Sequence, residues 1–337
     1  MNLKIFNHFS EINQGDWDSL VEQNETNVPF LKYGYLNNWW EYKGGGEWPE
    51  NSRLVLIAGF SGNQLVGIAP LFSPSHTDGE KLLLLGSIEI SDYLDIICLP
   101  EHKTEFVQNF LDLVTKDMPD ISQMDFVNIP QASTTLQLIE AQANKTEWKC
   151  EIEQAYHTPA IKLVEDWDTY LSGIDKKQRH EIRRKMRRAE ENSDSIRWYI
   201  IKEQEKLDSE IQAFFSLMEM DPDKKKFLSP QMRDQMSGII HWAFDKRILQ
   251  LSFLQIGQSK AAAYLCFDYG KHLLVYNSGF DYQFSEYSPG WVLLSYLIQH
   301  AIEEGKSHFD FMRGDETYKY RFGADDGFVM RALLTRS

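Results

Sequence analysis

The stretch from His272 to Met312, HLLVYNSGFDYQFSEYSPGWVLLSYLIQHAIEEGKSHFDFM, decides the fold of this chain. It begins with a short run of apolar and aromatic residues and ends with HFDFM, in which Phe309 and Phe311 alternate with Asp310. Both patterns predict strands. Between them, WVLLSYLIQHAIEE has apolar residues at helical spacing. The order strand, helix, strand predicts a sheet that is covered by a helix.

The elements around this stretch occur in a similar order in both halves of the chain. In each half, two helices precede a β-hairpin with a glycine in its turn, and a helix and further strands follow. DYLDIICL is predicted to be a strand of the first sheet, and FVMRALLTR is predicted to close the second. We therefore predict an α+β protein of two tandem domains, residues 1–160 and residues 161–337, each with a mixed, mostly antiparallel sheet flanked by helices.

The composition indicates a soluble protein with a large core. The chain has 337 residues, of which 42% are hydrophobic, and this length suits two domains. Its three cysteines, Cys98, Cys150 and Cys266, are scattered, which favours a reducing compartment over a disulfide framework. The N-terminus has no signal-peptide pattern, and no apolar run reaches the ~18 residues that a membrane span needs. We expect a cytoplasmic protein without membrane insertion.

The charge is distributed unevenly. The net charge is −15, and residues 1–160 hold 9 Lys and Arg against 23 Asp and Glu, whereas residues 161–337 hold 26 against 27. The cations are therefore concentrated in the second half, where we expect any phosphate-rich partner to bind. The acidic first half argues against binding of bulk DNA.

The start of the helix after Tyr287 has the features of an anion site. Ser288 suits the N-cap, Pro289 suits the first helical position, and Gly290 would let a ligand approach the backbone closely. The free N–H groups and the positive end of the helix dipole point at the same place, and Trp291 is the next residue of this first turn. The alternative is an ordinary capped helix.

A basic helix is predicted between Asp175 and Asn192, with Asp175 as its N-cap. Residues 176–188 include eight Lys and Arg and a single Glu, and a narrow apolar stripe includes Ile182 and Met186. This face could bind phosphates, tRNA or another polyanion along Lys176–Arg188. The alternative is a solvated helix whose charge the acidic half neutralises.

A polar run, FDFMRGDETYKYRFG, follows the last strand of the opening stretch at residues 309–323. Asp310 points to the opposite face from its phenylalanine neighbours. Lys319 can donate to a carbonyl oxygen or a phosphate, and Tyr318 can act as a weak acid. These three residues are candidate catalytic groups.

Three other ionisable side chains of this run are candidate substrate contacts: Arg313, Asp315 and Arg321. Gly314 permits a turn out of the strand, and Asp315 can cap a short helix that carries Lys319. The alternative is an ion-pair network that only fixes the last strand.

In the first half, Ser91–Asp95 places two acids beside the apolar IICLP. Tyr93 and Asp95 are candidate substrate contacts, and Asp92 is a candidate catalytic acid or base; the alternative is a surface-facing edge. The sequence contains no Walker loop, GxGxxG, HExxH or Gly-x-Ser-x-Gly motif, and its histidines lack metal-ligand spacing. We therefore predict no metal site.

With these motifs, the chain resembles the GNAT-like acyltransferases of the CelD and FemABX type, whose proteins carry two tandem GNAT-like domains. In the first half the resemblance lies in PFLKYGYLNNWWEY and LLGSIEISDYLDIICLP. In the second half it lies in RHEIRRKMRRAEE, GFDYQFSEYSPGWVLL and the polar run. It implies an acceptor side in residues 1–160 and an acyl-donor side in residues 161–337.

The resemblance also implies roles for individual residues. The donor's pyrophosphate would meet the helix start, and its acyl end would lie near Ser278, Gly279 and Asp310. The residues implied at the helix start are Tyr287, Ser288, Gly290 and Trp291. Lys319 matches a lysine of the FemABX relatives that assists transfer, and Asp92 matches an aspartate of their first domain. Where GNAT proteins have Gln/Arg-x-x-Gly-x-Gly/Ala, this chain has FSEYSPG, with an acid and no second glycine, which leaves the donor's identity open.

The function implied is N-acyl transfer from an acyl-CoA thioester to an amine acceptor in the interdomain cleft. The acceptor would be an amino sugar, an amino acid or an envelope precursor. Acyl-CoA would be a co-substrate, and no cofactor would be tightly bound. Two alternatives stay open: an aminoacyl-tRNA-dependent transferase of the peptidoglycan-bridge type, and a non-catalytic binding protein of a polysaccharide pathway. We expect Lys319→Ala to keep the fold and lose transfer.

Overall fold

A computed structural model describes residues 1–74, 80–191 and 196–336. The chain divides into two compact units. The first contains Met1–Tyr156 and the chain from Phe328 onward, and the second contains His157–Gly327. None of the helices in these described ranges is long and apolar enough to cross a membrane.

The first unit is built around one mixed sheet. Its described elements are β1 (Asn2–Phe6), α1 (Gln14–Gln23), α2 (Tyr33–Glu41), α3 (Lys43–Gly46), β2 (Arg53–Ser61), β3 (Gln64–Ser73), β4 (Glu80–Leu84), β5 (Ile97–Cys98), α4 (Lys103–Asp117), β6 (Ile121–Pro130), α5 (Thr134–Ala143), β7 (Trp148–His157) and, after the second unit, a final strand at Phe328–Arg336. The strand order is β1-β2-β3-β4-β6-final strand-β7, and β5 pairs with β3. The β4–β6 pair is parallel, whereas β1–β2 and β2–β3 are antiparallel.

The second unit holds the other sheet. Its described elements are β8 (Ala160–Lys162), α6 (Trp167–Gly173), α7 (Lys176–Glu190), β9 (Ile196–Ile200), α8 (Gln204–Met218), α9 (Pro222–Phe227), α10 (Pro230–Asp245), β10 (Leu249–Ile256), β11 (Ser259–Tyr269), β12 (His272–Phe280), α11 (Pro289–Glu303), β13 (His308–Asp310) and α12 (Thr317–Arg321), which makes the final strand β14. The order of this sheet is β8-β13-β12-β11-β10-β9. Within the described residues, β12 and β13 pair in parallel, and the other neighbouring strands of this sheet pair antiparallel.

The apolar face of each helix explains its position. α11 is apolar around most of its circumference, and it packs on β11 and β12 with Val292, Leu293 and Leu297 buried. α7 buries only the narrow stripe predicted from its sequence, so most of its basic side chains are exposed. Asp175 caps α7 as predicted, since its carboxylate accepts hydrogen bonds from the backbone N–H groups of Lys177 and Gln178.

The predicted α+β class is therefore confirmed, but the last strand is in the other sheet. β14 was expected to close the second sheet; instead it pairs antiparallel with β6, from Val329 opposite Pro130 to Thr335 opposite Gln123. The alternating apolar pattern of FVMRALLTR suits either sheet, and only the long-range pairing decides between them. The predicted second domain, residues 161–337, therefore differs from the second unit of the structure, which is His157–Gly327.

The predicted strand DYLDIICL is also mostly wrong. Only Ile97 and Cys98 form a strand. Upstream, side-chain hydrogen bonds replace the ladder, because the Asn128 amide donates to the carbonyl of Ser91 at 2.8 Å and the buried Asp95 carboxylate accepts from neighbouring hydroxyls.

The position of β14 predicts which unit responds to its mutation. Leu334 is fully buried, so Leu334→Ala should destabilise the first unit by about 2–5 kcal/mol. Amide hydrogen exchange should then show faster exchange in β6 and β7, while β10, β11 and β12 keep their protection. Thr335→Ala, at an exposed neighbouring position, is the matched control and should change little. Loss of protection in the second sheet instead would refute this strand assignment.

Candidate functional site

The second sheet opens between β12 and β13. Their parallel pairing runs only from His272 opposite His308 to Leu274 opposite Asp310, although β12 continues to Phe280. On the other edge of β12, the register with β11 shifts so that Tyr276 forms a bulge. Bulges bend a strand and are frequent beside active sites. The outer part of β12 therefore borders a gap in the described part of this sheet.

α11 begins next to this gap. Pro289 is its first residue and Ser288 is its N-cap, as predicted, but Ser288 has left-handed backbone angles and its side chain does not cap the helix. Its hydroxyl accepts a hydrogen bond from Lys185 Nζ at 2.9 Å instead. The predicted capping role of the Ser288 side chain is therefore wrong.

Gly290, in the first turn of α11, is not required by packing. A Cβ placed there would lie 3.5 Å from the ring of Phe280, which is an ordinary contact, and its φ is not positive. Glycine in a helix is less stable than alanine by up to about 1 kcal/mol. The absence of a structural reason favours close approach of a ligand to this turn.

The basic helix α7 lies beside the start of α11. Lys185 Nζ is 4.7 Å from the centre of the Trp291 ring, and Arg188 pairs with Glu286 at 3.6 Å and lies over the ring of Tyr287 at 5.8 Å. The two anion sites predicted separately from sequence are thus neighbours. Asn192, the predicted end of this helix, falls outside the described residues.

A cavity of about 510 Å³ lies between the C-terminal half of α7 and Tyr287, two residues before α11. Its lining residues are Arg184, Arg187, Arg188, Glu191 and Tyr287. Hydrogen bonds from Arg184 lower the pKa of Glu181, so that this glutamate stays ionised and offsets part of the charge. The cavity nevertheless has an excess of guanidinium groups and one aromatic face, which suits a phosphate-bearing ligand.

Lys319 is buried in the turn that follows β13. Its side chain is 3% exposed, and Nζ donates to the carbonyl oxygens of Met312 at 3.3 Å, Arg313 at 2.7 Å and Gly314 at 3.0 Å. It also pairs with Glu316 at 2.9 Å. The amine therefore fixes the turn out of β13, in line with the structural alternative that the sequence left open for the polar run.

The same turn is fixed from its other end by Asp310. This carboxylate is 8% exposed, and Oδ1 accepts from the backbone N–H of Met312 at 2.7 Å. Gly314 has φ +111°, which favours glycine, as the sequence suggested. The predicted cap at Asp315 is wrong, since Glu316 occupies the N-cap of α12.

The remaining candidates of the polar run differ in exposure. Tyr318 packs edge-on against Phe311 with ring centres 6.0 Å apart, and burial raises its pKa, so its hydroxyl can donate but stays protonated at neutral pH. Arg313 is half-buried, whereas Asp315 and Arg321 are exposed.

Gly279 is required by packing. A Cβ there would lie 2.5 Å from the backbone nitrogen of Met218, at the end of α8, so close contact with this helix is sufficient to explain this glycine. Its neighbour Ser278 lies beside a residue that the sequence did not single out. Lys224 of α9 donates to the Ser278 carbonyl oxygen at 2.5 Å and to Asn277 Oδ1 at 3.1 Å.

In the first unit, Asp95 is completely buried. Its carboxylate accepts hydrogen bonds from the hydroxyls of Thr26, Ser133 and Thr135, and Lys103 Nζ lies 3.9 Å away. This burial argues against the predicted role of Asp95 as a substrate contact.

Asp92 and Tyr93 lie in the same loop and are half-buried. The Tyr93 ring lies 6.5 Å from that of Phe30. Both residues stay candidates. No group of three or more His, Cys, Asp and Glu side chains within the described ranges is placed to hold a metal ion.

The contacts of Lys319 revise the expectation for its mutation. Lys319→Met removes the donor to three carbonyl oxygens, so we expect a loss of about 1–3 kcal/mol in the free energy of unfolding. Chemical denaturation measures this loss. Lys206→Met, which removes an exposed lysine paired with Glu203 in the same unit, is the control and should cost about 1 kcal/mol or less. Equal stability of Lys319→Met and the wild type would contradict the structural role.

Comparison with known proteins shows a family likeness in the second unit. Residues 176–320 match a family model described as an acetyltransferase (GNAT) domain. This range begins at α7 and ends in α12, so it includes the gap beside β12, the start of α11 and Lys319. The sequence has no significant match among curated proteins.

Solved structures extend the likeness to both units. The crystal structure of FemX has a TM-score of 0.67 at 11% identity and covers 98% of this chain and 97% of its own. A conserved protein of unknown function from Bacteroides thetaiotaomicron has a TM-score of 0.62 at 10% identity, covering 99% of this chain and 100% of its own. L-PGS from Bacillus licheniformis has a TM-score of 0.57 at 10% identity, covering 96% and 92%. At such identities the likeness concerns the fold alone. The chain therefore has the FemX-like tandem GNAT-like fold that its sequence resembles, and residues 176–320 match the model of a GNAT acetyltransferase domain.

Proposed function

We propose that this chain is an N-acyltransferase that moves an acyl group from a phosphate-bearing donor to an amine. The observation that carries the proposal is the position of the arginine-lined cavity of α7 beside the start of α11, within the matched GNAT domain. A donor with phosphates needs such a cluster of cations and free backbone N–H groups.

The reaction needs no covalent enzyme intermediate, because a thioester is already activated. The amine nitrogen attacks the acyl carbonyl carbon, a C–N bond forms, and the C–S bond breaks. The amine loses a proton to a base, and the thiolate leaves as the thiol after taking up a proton. The protein contributes positioning, a base and hydrogen-bond donors to the carbonyl oxygen.

Individual residues have distinct parts in this proposal. Gly290 lets a donor phosphate approach the first turn of α11, and Lys185 adds a cation that already contacts Ser288. Asp310, at the last paired position of β13, is the base candidate of the second unit, and Asp92 is that of the first. Lys319 acts through the turn that it fixes and is a positioning residue.

Acyl-CoA is the first candidate donor. A second candidate, an aminoacyl-tRNA, is favoured by one observation: α7 presents eight Lys and Arg between residues 176 and 188, more than a single nucleotide requires. Polyanion binding of this kind weakens steeply with salt. The acceptor would be an amino sugar, an amino acid or another amine of an envelope precursor.

Gly290→Ala tests whether this position is glycine because a ligand approaches the helix start or because of packing within the protein. We expect it to weaken acetyl-CoA binding at least about 10-fold, because the added methyl group meets the incoming phosphate, while the free energy of unfolding stays equal or rises by up to about 1 kcal/mol. Calorimetric titration with acetyl-CoA and a longer acyl-CoA, followed by a thiol-release assay with amine acceptors, measures both affinity and transfer.

Two other glycines provide controls for this experiment. Gly173→Ala, at the end of α6, meets no atom within 4 Å and should leave binding unchanged. Gly279→Ala should destabilise the fold because of its contact with α8. Wild-type affinity in Gly290→Ala would overturn the donor site. If no CoA binds but tRNA binds in a salt-sensitive way, the second candidate is correct; binding of neither would favour a non-catalytic protein.

A further inference from the structure

One lysine of α9 differs from its neighbours. The helix begins at the N-cap Asp221, whose carboxylate accepts from two backbone N–H groups, and carries Lys224, Lys225 and Lys226 in succession. Lys225 and Lys226 are exposed, whereas the side chain of Lys224 turns inward to β12. Burial lowers the pKa of Lys224, and this effect exceeds the opposing attraction of Asp221 and Glu316.

The amine of Lys224 contacts the outer part of β12. Nζ donates to the Ser278 carbonyl oxygen at 2.5 Å and to Asn277 Oδ1 at 3.1 Å, and lies 3.5 Å from the Ser278 hydroxyl. These positions lie beyond Leu274, the last residue of β12 that pairs with β13. The amine is therefore at the gap where the sheet opens.

The contacts of Lys224 leave part of its bonding capacity unused. The acceptors of Lys224 Nζ in the described part of the chain are neutral oxygens. Its positive charge is therefore not paired with a carboxylate at hydrogen-bond distance. An ammonium group has three N–H donors. Two are used in short bonds, and the third faces only the hydroxyl at 3.5 Å, which is the outer limit of a hydrogen bond. One N–H is thus available to an oxygen that enters the gap.

A purely structural reason for this lysine is weak. Placing an amine in a desolvated position is unfavourable, and a neutral side chain could join α9 to β12 without that penalty. Buried lysines with lowered pKa values, close to an opening in the fold, are frequent at functional sites. The outer end of β12 also lies beside the start of α11, since a Cβ at Gly290 would be 3.5 Å from the Phe280 ring, and this brings the amine close to the proposed donor site.

We propose that Lys224 is a catalytic residue that donates a hydrogen bond from Nζ to the acyl carbonyl oxygen of the donor. This inference rests on the proposed acyl transfer. As the amine nitrogen bonds to the carbonyl carbon, the C–O double bond becomes a single bond and the oxygen becomes negatively charged; the Lys224 ammonium stabilises that charge and keeps its own protons. The carbonyl re-forms when the C–S bond breaks, and the amine proton goes to the base.

The test compares Lys224→Met with Lys225→Met and Lys226→Met on the same helix. Removal of a donor to such an oxygen typically lowers kcat by about 10²–10³-fold. We expect this loss in Lys224→Met with the KM for acetyl-CoA within about 3-fold, and no change in the two controls. Lys224→Arg, which keeps a positive donor, should retain more activity than Lys224→Met.

The pH dependence gives a second readout that a structural role would not change. The protonated amine is the active form, so wild-type kcat should fall on the alkaline side as Lys224 loses its proton. That fall should begin below the ordinary lysine pKa of about 10.4 and should be absent from the residual activity of Lys224→Met. An unchanged kcat in Lys224→Met, or the same alkaline fall in this variant, would overturn the inference.

A measurement on the wild-type protein covers the case in which Lys224→Met does not fold. The probe is the ketone analogue of acetyl-CoA in which a methylene group replaces the thioester sulfur. NMR titration of carbon-labelled lysines should show a changed Lys224 pKa when the analogue is bound, with Lys225 and Lys226 unaffected. Binding without any change at Lys224 refutes the inference alone. Absence of analogue binding, together with absence of wild-type turnover with acyl-CoA and with aminoacyl-tRNA, refutes the proposed function and this inference together.

Discussion

The short parallel pairing of β12 and β13 is the constraint on which the second unit depends. The two strands share three residue pairs and then part, while β12 continues for six residues and bends at a bulge. α11, which connects them, begins nine residues after the end of β12, and its first turn lies beside the gap because a Cβ at Gly290 would be 3.5 Å from the Phe280 ring. The gap, the free start of α11 and the turn after β13 are consequences of one local departure from regular pairing. A sheet that paired along the whole of β12 would leave no room for a ligand there.

The cations of the second unit act in two different ways around this gap. Lys319 is buried and Lys224 is half-buried, and each is held by carbonyl oxygens, so their charges have fixed positions. The arginines of α7 are at the surface, and their guanidinium groups can adjust to a flexible polyanion. A fixed inner charge suits an acyl oxygen at a defined place, whereas an adaptable outer cluster suits phosphates.

Elements with a strong local pattern were predicted from the sequence. α7, with its N-cap at Asp175, α11 and the hairpins follow from apolar periodicity and turn residues, which depend on neighbours a few positions apart. The strand predicted at DYLDIICL was mostly wrong, because hydrogen bonds of Asp95 and Asn128 with distant groups replace the backbone ladder there. At the site, Ser288 and Gly290 were placed correctly at the start of α11, yet the partner of the Ser288 hydroxyl, Lys185, is 103 residues away. Such partners leave no trace in local sequence.

The sequence by itself determined the α+β class, the tandem arrangement, the start of α11 and the concentration of cations in the second half. These properties follow from composition, period and short motifs. Tertiary structure alone decided that β14 joins the first sheet, that α7 lies beside α11, and that Lys224 is half-buried against β12 while Lys225 and Lys226 are exposed. The physical reason is the same in each case. Strand pairing and burial depend on groups far apart in the chain, and three consecutive lysines are chemically identical until the fold removes water from one of them.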